Sequence, residues 1–536
     1  MIPYKFKNIT VVVVLLLSFL AVNAQKKQVA VQKKEDCLVK VTFLHVNDVY
    51  SFMPVDGGER GGLARLLTLK KKYVAENPNT IFTLGGDTIS PSVESKLLRD
   101  MKKNLEGSQM IDAWNAVGID YAVLGNHEFD FTPEILIQRM KESNFKWLTA
   151  NVYDKKTKKN FADLPPYIIR EIGGVKVGII GFLLPETKKT SAMSKQEHLE
   201  VTDFCQSAKK YVPMMKKQGA KTIIGLTHLA MSEDKKLAKC ADFDLILGGH
   251  EHSLLQSSSN NTPIFKMTAD ARELGKFDLF INKQTGKLEQ MDWQIVPVTK
   301  AIPDAPEFAS VTEKYKDFIL KLAEPIGRTD EVLDALSFSS RNKETNVGNY
   351  IADAYRKELN ADIGFLNGGS IRADLLFSVG ILTKRDILSI VPFDNKIIKV
   401  EISGKILKEA LENGVSRVVE ESESGRFPQV SGLTFTYDIS KPSGSRVVEV
   451  KVGGQSFDEN KNYTLATSSF LINDGGDDYK MFKNGKVLTN LAEAKTDSQI
   501  LEQAIRNSPN STIAPKTEGR INRIGQRAND AKNDCN

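Results

Sequence analysis

Five short apolar runs in this chain each end in a residue type that binds metals, and no other feature constrains the fold as strongly. Val41 to Val46 is followed by Asn47-Asp48, and Thr80 to Leu84 by Gly85-Gly86-Asp87. Tyr121 to Leu124 leads into Gly125-Asn126-His127-Glu128, and Thr222 to Leu226 into Thr227-His228. Phe243 to Leu247 ends in Gly248-Gly249-His250-Glu251-His252. Short β-branched runs alternating with helix-like segments predict an α/β region from about 37 to 300. In such sheets ligands gather at the C-terminal ends of the strands. The interposed glycines let the backbone turn sharply, so that short side chains can converge.

The six histidines, His45, His127, His198, His228, His250 and His252, all precede residue 253, and all but His198 stand at strand ends. Metal or acid–base chemistry therefore belongs to the first region. Carboxylate, amide oxygen and imidazole together suit Zn, Mn or Fe rather than Ca. No thiolate is in the set, which argues against a closed structural zinc. Donors in excess of one ion predict two, the usual clamp for in-line attack at phosphorus. A lone Asp after a strand is more often a turn or a cap. Five such sites together are not explained by caps.

The length of 536 residues suits two or three domains. The segment 1–24 reads as a signal peptide: Lys5 and Lys7, apolar Val11 to Leu17 and Phe19 to Val22, then Val22-Asn23-Ala24 at the cleavage point. The run is short for a bilayer span, and the tail GQRANDAKNDCN carries no apolar lipid-anchor signal. A periplasmic or secreted protein without a membrane anchor is expected. The net charge of +6 includes Lys5 and Lys7, and is too mild to predict nucleic-acid or membrane binding. Cys37, Cys205, Cys240 and Cys535 allow three pairings, among which the sequence does not choose.

Phe308, Val311, Tyr315, Ile319 and Leu322 fall at helical spacing before Glu324-Pro325, which predicts a linker helix over 306–325. A second α/β region follows over 327–522. Gly57 to Gly62, GGERGG, lacks the Gly-Lys-Ser/Thr of a phosphate loop and reads as a turn into a helix from Leu63. In the second region Arg341, the stretch Asn367 to Arg372, and two Gly-rich loops carrying Phe427 and Phe470 stand out. Exposed rings in such loops can stack a base, and Arg or Asn beside them can bind sugar and phosphate oxygens. Taken singly, each Phe is more often core.

As a set these motifs resemble the calcineurin-like metallophosphoesterases. Over nearly all of the chain beyond residue 24 they resemble the exported 5′-nucleotidase family. The resemblance implies an αββα sandwich followed by an α/β nucleotide-binding domain, two divalent ions, and hydrolysis of nucleoside 5′-monophosphates by an activated water. It implies Asp87 between the ions, Asp48 and His252 on the first, and Asn126, His228 and His250 on the second. His127, oriented by Asp130, would stabilise the transition state or leaving group. Arg341, Asn367, Arg372, Phe427, Phe470 and Asp477 would surround the nucleotide, with the rings on the base and Asp477 on the ribose. Rotation of the domains about the linker is implied as well.

Two departures stand against this pattern. Tyr50 occupies the place of the histidine in the family's Asp-x-His. It can ligate the first ion, hydrogen-bond a water on it, or point away. The family's GGDGY is here GGDDY, and the stretch from Phe470 to Asp477 is one residue longer. Rival readings are a hydrolase of 2′,3′-cyclic nucleotides, nucleotide sugars or sugar phosphates, and a catalytically reduced nucleotide-binding surface protein.

Overall fold

The computed structural model describes residues 37–526, apart from 91–92, 94–104, 192, 194–195, 394 and 419–423. The expected signal peptide and Cys535 lie outside the described residues.

Alternation along the strands builds two layers. In β1 (Leu38–Val46), Val39, Val41 and Phe43 face one buried cluster while Leu44 and Val46 face another. Successive side chains of a strand point to opposite faces, so β1 is covered on both sides. It lies in a six-stranded sheet ordered β12 (Leu288–Pro297), β11 (Glu273–Asn282), β1, β2 (Thr80–Leu84), β3 (Tyr121–Val123) and β4 (Lys146–Leu148). A second six-stranded sheet runs β9 (Leu255–Ser259), β10 (Thr262–Lys266), β8 (Leu245–Gly248), β7 (Thr222–His228), β6 (Val175–Leu183) and β5 (Tyr167–Ile172). Val177 and Ile179 of β6, with Ile224 and Leu226 of β7, join Val41, Phe43 and Ile81 in the layer between the sheets. The outer faces are packed by helices, among them α1 (Leu63–Glu76), α2 (Ser108–Val117), α3 (Phe204–Lys217) and α4 (Met231–Cys240). This is the expected αββα sandwich.

Strands β1 to β4 run parallel, as do β6, β7, β8 and β10. Their C-terminal ends therefore open on one rim, from which all the strand-end motifs project. Cys205 in α3 and Cys240 at the end of α4 form a disulfide with Cα atoms 5.3 Å apart, which settles that pairing. Cys37 is exposed and has no disulfide partner among the described residues. Among the described residues no helix is long and apolar enough to cross a membrane.

The linker is not one helix. A 3-10 turn over Pro306–Phe308 leads to helices Ala309–Lys314 and Lys316–Leu322, separated at Tyr315 (φ −109°, ψ 14°). The Tyr315 ring centroid lies 5.7 Å from that of Phe52, and its hydroxyl donates to Asp112, so a tertiary anchor coincides with the break. The second domain centres on a five-stranded sheet ordered β15 (Pro428–Ser431), β13 (Ile363–Asn367), β16 (Asn462–Ser468), β14 (Ile397–Ser403) and β17 (Lys486–Val487). Helix α5 (Asn346–Glu358) covers it, capped by the Thr345 side chain accepting from Gly348 N.

Candidate metal centre and nucleotide site

Asp48 and Asp87 follow β1 and β2 directly, and both adopt left-handed backbone conformations (φ 53°). So do His250 (φ 92°) and His252 (φ 59°). Side chains larger than glycine avoid this region unless their surroundings enforce it. The rim thus holds four of its polar residues in bent backbone, which turns their side chains inward. Gly125 makes room: a Cβ there would come within 2.1 Å of Asp87 Oδ1.

Ligand atoms of Asp48, Asp87 and His228 lie within 4.8 Å of one another, all buried. His228 Nε2 is 3.2 Å from Asp87 Oδ2 and 3.1 Å from Asn126 Oδ1. His252 Nε2 is 3.3 Å from Asp48 Oδ1. The His250 ring stands beside that of His228, at 5.3 Å between centroids, and its backbone N–H donates to Asp48 Oδ2. The other oxygen of Asp87 accepts from His127 N at 2.8 Å. His127 Nδ1 meets Asp130 Oδ2 at 2.8 Å, and Ser90 donates to the same oxygen. The structure therefore brings all six expected ligands and the His127–Asp130 pair to one rim. His45 stands apart, its ring nitrogens near Thr83 Oγ1 and Gly248 O.

The electrostatics test whether cations fit. Burial pushes Asp87 up, but the charges of His228 and His127 outweigh it and bring the carboxyl to about 2. Burial likewise acts against Asp48, and His228 and His252 hold it far below the carboxylate range. Burial lowers His228, yet Asp87 and Asp48 raise it to about 10. Two buried carboxylates thus demand a compensating positive charge, for which divalent cations on this oxygen and imidazole donor set are suited. The residues fit the group.

Tyr50 does not point away. Its hydroxyl lies 3.2 Å from Asp87 Oδ2, 3.3 Å from Asp48 Oδ1 and 2.9 Å from His252 Nε2. It also accepts from Arg372 Nη2 at 3.1 Å. Arg372 belongs to the second domain, and its guanidinium lies over both the Tyr50 ring and the Phe393 ring. Phe393 in turn stacks on His127 at 5.5 Å.

The nucleotide residues divide. Asn367 Nδ2 donates to Asp477 Oδ2 at 2.6 Å, and Arg341 lies within electrostatic reach of Asp477. Phe470 is half-buried with its ring laid on Gly476, where a Cβ would come within 2.2 Å of it. Phe427 departs from the expected exposed loop: it is 1 % exposed in the domain core, edge-on to Tyr437. Phe427 is drawn in because β15 starts at Pro428 and pairs with β13, while Phe427 O accepts from Gly368 N. The half-buried ring brought to the metal centre is Phe393, which carried no signal in the sequence beyond one Phe after a Pro. In GGDDY, Asp478 takes φ 63°, a conformation natural to glycine and tolerated by Asp. It is held there by Arg426 at 3.0 Å.

A two-sheet sandwich with carboxylates, an amide and imidazoles converging at its strand ends defines a metallophosphoesterase, a metal-dependent hydrolase. Residues 41–254 match the calcineurin-like phosphoesterase family, and residues 325–484 match the 5′-nucleotidase C-terminal domain. The chain is 29% identical over 541 residues to the trifunctional nucleotide phosphoesterase protein YfkN of Bacillus subtilis, covering 91% of this chain but 35% of that protein. It is 27% identical to a 5′-nucleotidase of Diplobatis ommata, covering 90% of this chain and 89% of the relative. The crystal structure of a 5′-nucleotidase precursor from Thermus thermophilus superposes with a TM-score of 0.81 at 26% identity, over 91% of this chain and 99% of that one. The chain belongs to the 5′-nucleotidase family, with its phosphoesterase and C-terminal domains both present.

Proposed function

We propose that the protein hydrolyses nucleoside 5′-monophosphates to nucleoside and phosphate, with two divalent ions in the first domain and the nucleoside held by the second. The observation that carries this reading is Arg372. A guanidinium from the nucleotide domain lies 3.1 Å from Tyr50 Oη and 3.2 Å from His252 Nε2, inside the metal-binding cluster. Guanidinium is the group best matched to phosphate oxygens, so phosphate recognition and metal binding meet at one point.

Asp48 and His252 would hold the first ion, Asn126, His228 and His250 the second, and Asp87 both. Bound there, the ions supply Lewis-acid charge and an activated water for attack on phosphorus. His127 has its Nδ1 committed to Asp130. That leaves Nε2 to hydrogen-bond an oxygen of the phosphate or of the leaving group. Asp477, ordered by Asn367, would receive the ribose hydroxyls, with Arg341 beside it. Phe393 and Phe470, rather than Phe427, are the half-buried rings that would contact the base.

The test is phosphate release from AMP, 2′,3′-cyclic AMP, a nucleotide sugar and a small aryl phosphate, before and after exhaustive chelation. AMP hydrolysis should be fastest, should cease on chelation and should return with Mn or Zn. Preference for another phosphoester refutes the substrate, and activity in metal-free protein refutes the mechanism.

A further inference from the structure

We infer that Lys266 is a positioning residue, which through Glu251 holds the His250-Glu251-His252 loop in the shape that turns both imidazoles toward the metal centre. The inference rests on the proposed metal binding and assigns a role to a residue outside the ligand set.

Lys266 ends β10, beside β8, whose C-terminus launches the loop. It is 1 % exposed, an unusual place for an ammonium group. Its ammonium donates to Glu251 Oε2 and to Leu229 O, each at 2.5 Å, and forms an ion pair with Asp234 Oδ2 at 2.9 Å. Each acceptor sits on a different part of the rim. Leu229 follows His228 directly. Asp234 lies in α4, and its other oxygen accepts from Thr227 Oγ1 at 2.7 Å. Glu251 stands between the two loop histidines and also accepts from Met231 N. One buried charge thus ties together the backbone beside His228 and the residue between His250 and His252.

The loop requires such a tie. His250 and His252 both hold positive φ, which a histidine keeps only when its surroundings impose it. Gly248 shows that the lysine's path is built in. A Cβ there would lie 3.0 Å from Lys266 Cε and 2.8 Å from Thr227 Oγ1, so the strand gives up a side chain where the lysine passes. The network carries two carboxylates against one ammonium, a net negative charge behind imidazoles that are to face cations.

Two full-length variants test this. Lys266→Met keeps the stem and removes the charge. Glu251→Gln is milder, keeping shape and an acceptor oxygen. Each is dialysed against graded Mn2+ and Zn2+ with metal content read by mass spectrometry, and the chelated proteins are unfolded thermally. Residues that orient metal ligands typically contribute about 10- to 100-fold in affinity. The expected result is a loss of that size for at least one ion in Lys266→Met and a smaller loss in Glu251→Gln. AMP turnover should then fall at limiting metal and recover in excess metal, with KM unchanged. Variants that bind metal like wild type while melting earlier in chelator overturn the inference, because the lysine would then serve folding alone. If Lys266→Met does not fold, Glu251→Gln decides between the same two outcomes. A wild type that takes up no metal is a different result, which removes the functional reading and this inference with it.

Discussion

Replacing Tyr50 by phenylalanine deletes one oxygen from the most crowded point of the site. Four groups surround that oxygen: His252 Nε2 at 2.9 Å, Arg372 Nη2 at 3.1 Å, Asp87 Oδ2 at 3.2 Å and Asp48 Oδ1 at 3.3 Å. The ring itself has space and stays. Burial, Asp87 and Asp48 all push the phenol well above its ordinary range, so in this arrangement it is a neutral hydroxyl donating to a carboxylate. A hydrogen bond to a charged group contributes about 1.5–3 kcal/mol, which is roughly 10- to 150-fold in an equilibrium constant. Tyr50→Phe is therefore expected to weaken metal binding by that factor. Tyr50→His should restore donor chemistry usual in the family and change the preferred metal, although imidazole is the shorter side chain. Metal content and AMP hydrolysis are measured for wild type and both variants in Zn, Mn and Fe. A Phe variant with unchanged stoichiometry and rate in all three metals would refute the assignment of Tyr50 to the site.

Phe427→Ala should behave as a core truncation, costing about 3–5 kcal/mol of stability in urea unfolding and reducing activity on AMP and on a small aryl phosphate alike; a loss confined to KM for AMP would contradict its burial. Phe393→Ala should raise KM for AMP by roughly 5- to 150-fold, from about 1–3 kcal/mol of lost stacking, while aryl phosphate hydrolysis changes less; equal loss on both would mean that the ring serves His127 alone. The Cys205–Cys240 bond spans 35 residues, and in the chain-entropy account a loop of that size is worth about 3–4 kcal/mol. A Cys205→Ala/Cys240→Ala protein should unfold at correspondingly lower urea, and an unshifted midpoint would show that the helices α3 and α4 need no staple.

The metal centre was the most legible part of the sequence, because each candidate ligand follows its own strand within a few residues. Asp48, Asp87 and His228 need only local chain direction to reach one rim. The sandwich was readable for the same reason, since alternation in strands such as Val39 to Val46 reports which faces are covered. What depended on distant packing was not readable. Phe427 looked like an exposed loop residue until the pairing of Pro428 with Asn367 drew it inward. The break at Tyr315 follows a contact with Asp112, 203 residues upstream. Lys266 is one lysine among many in the sequence, and only the fold surrounds it with Asp234 and Glu251. Tyr50 was the hardest case: its identity was plain, but its direction was set by His252 and by an arginine from the other domain.

That arginine occupies the very partners it would have to abandon. While Arg372 is bonded to Tyr50 and His252, the group proposed to receive phosphate is engaged by the protein itself. In that role, an incoming phosphate would have to displace the phenol and the imidazole from the guanidinium before gaining the contact itself. The net affinity for nucleotide would then be an exchange between two sets of bonds, smaller than the gain from the new contacts alone. The exchange has a use. It would give the guanidinium partners in the absence of phosphate, and it would let a departing phosphate be replaced by the protein's own side chains.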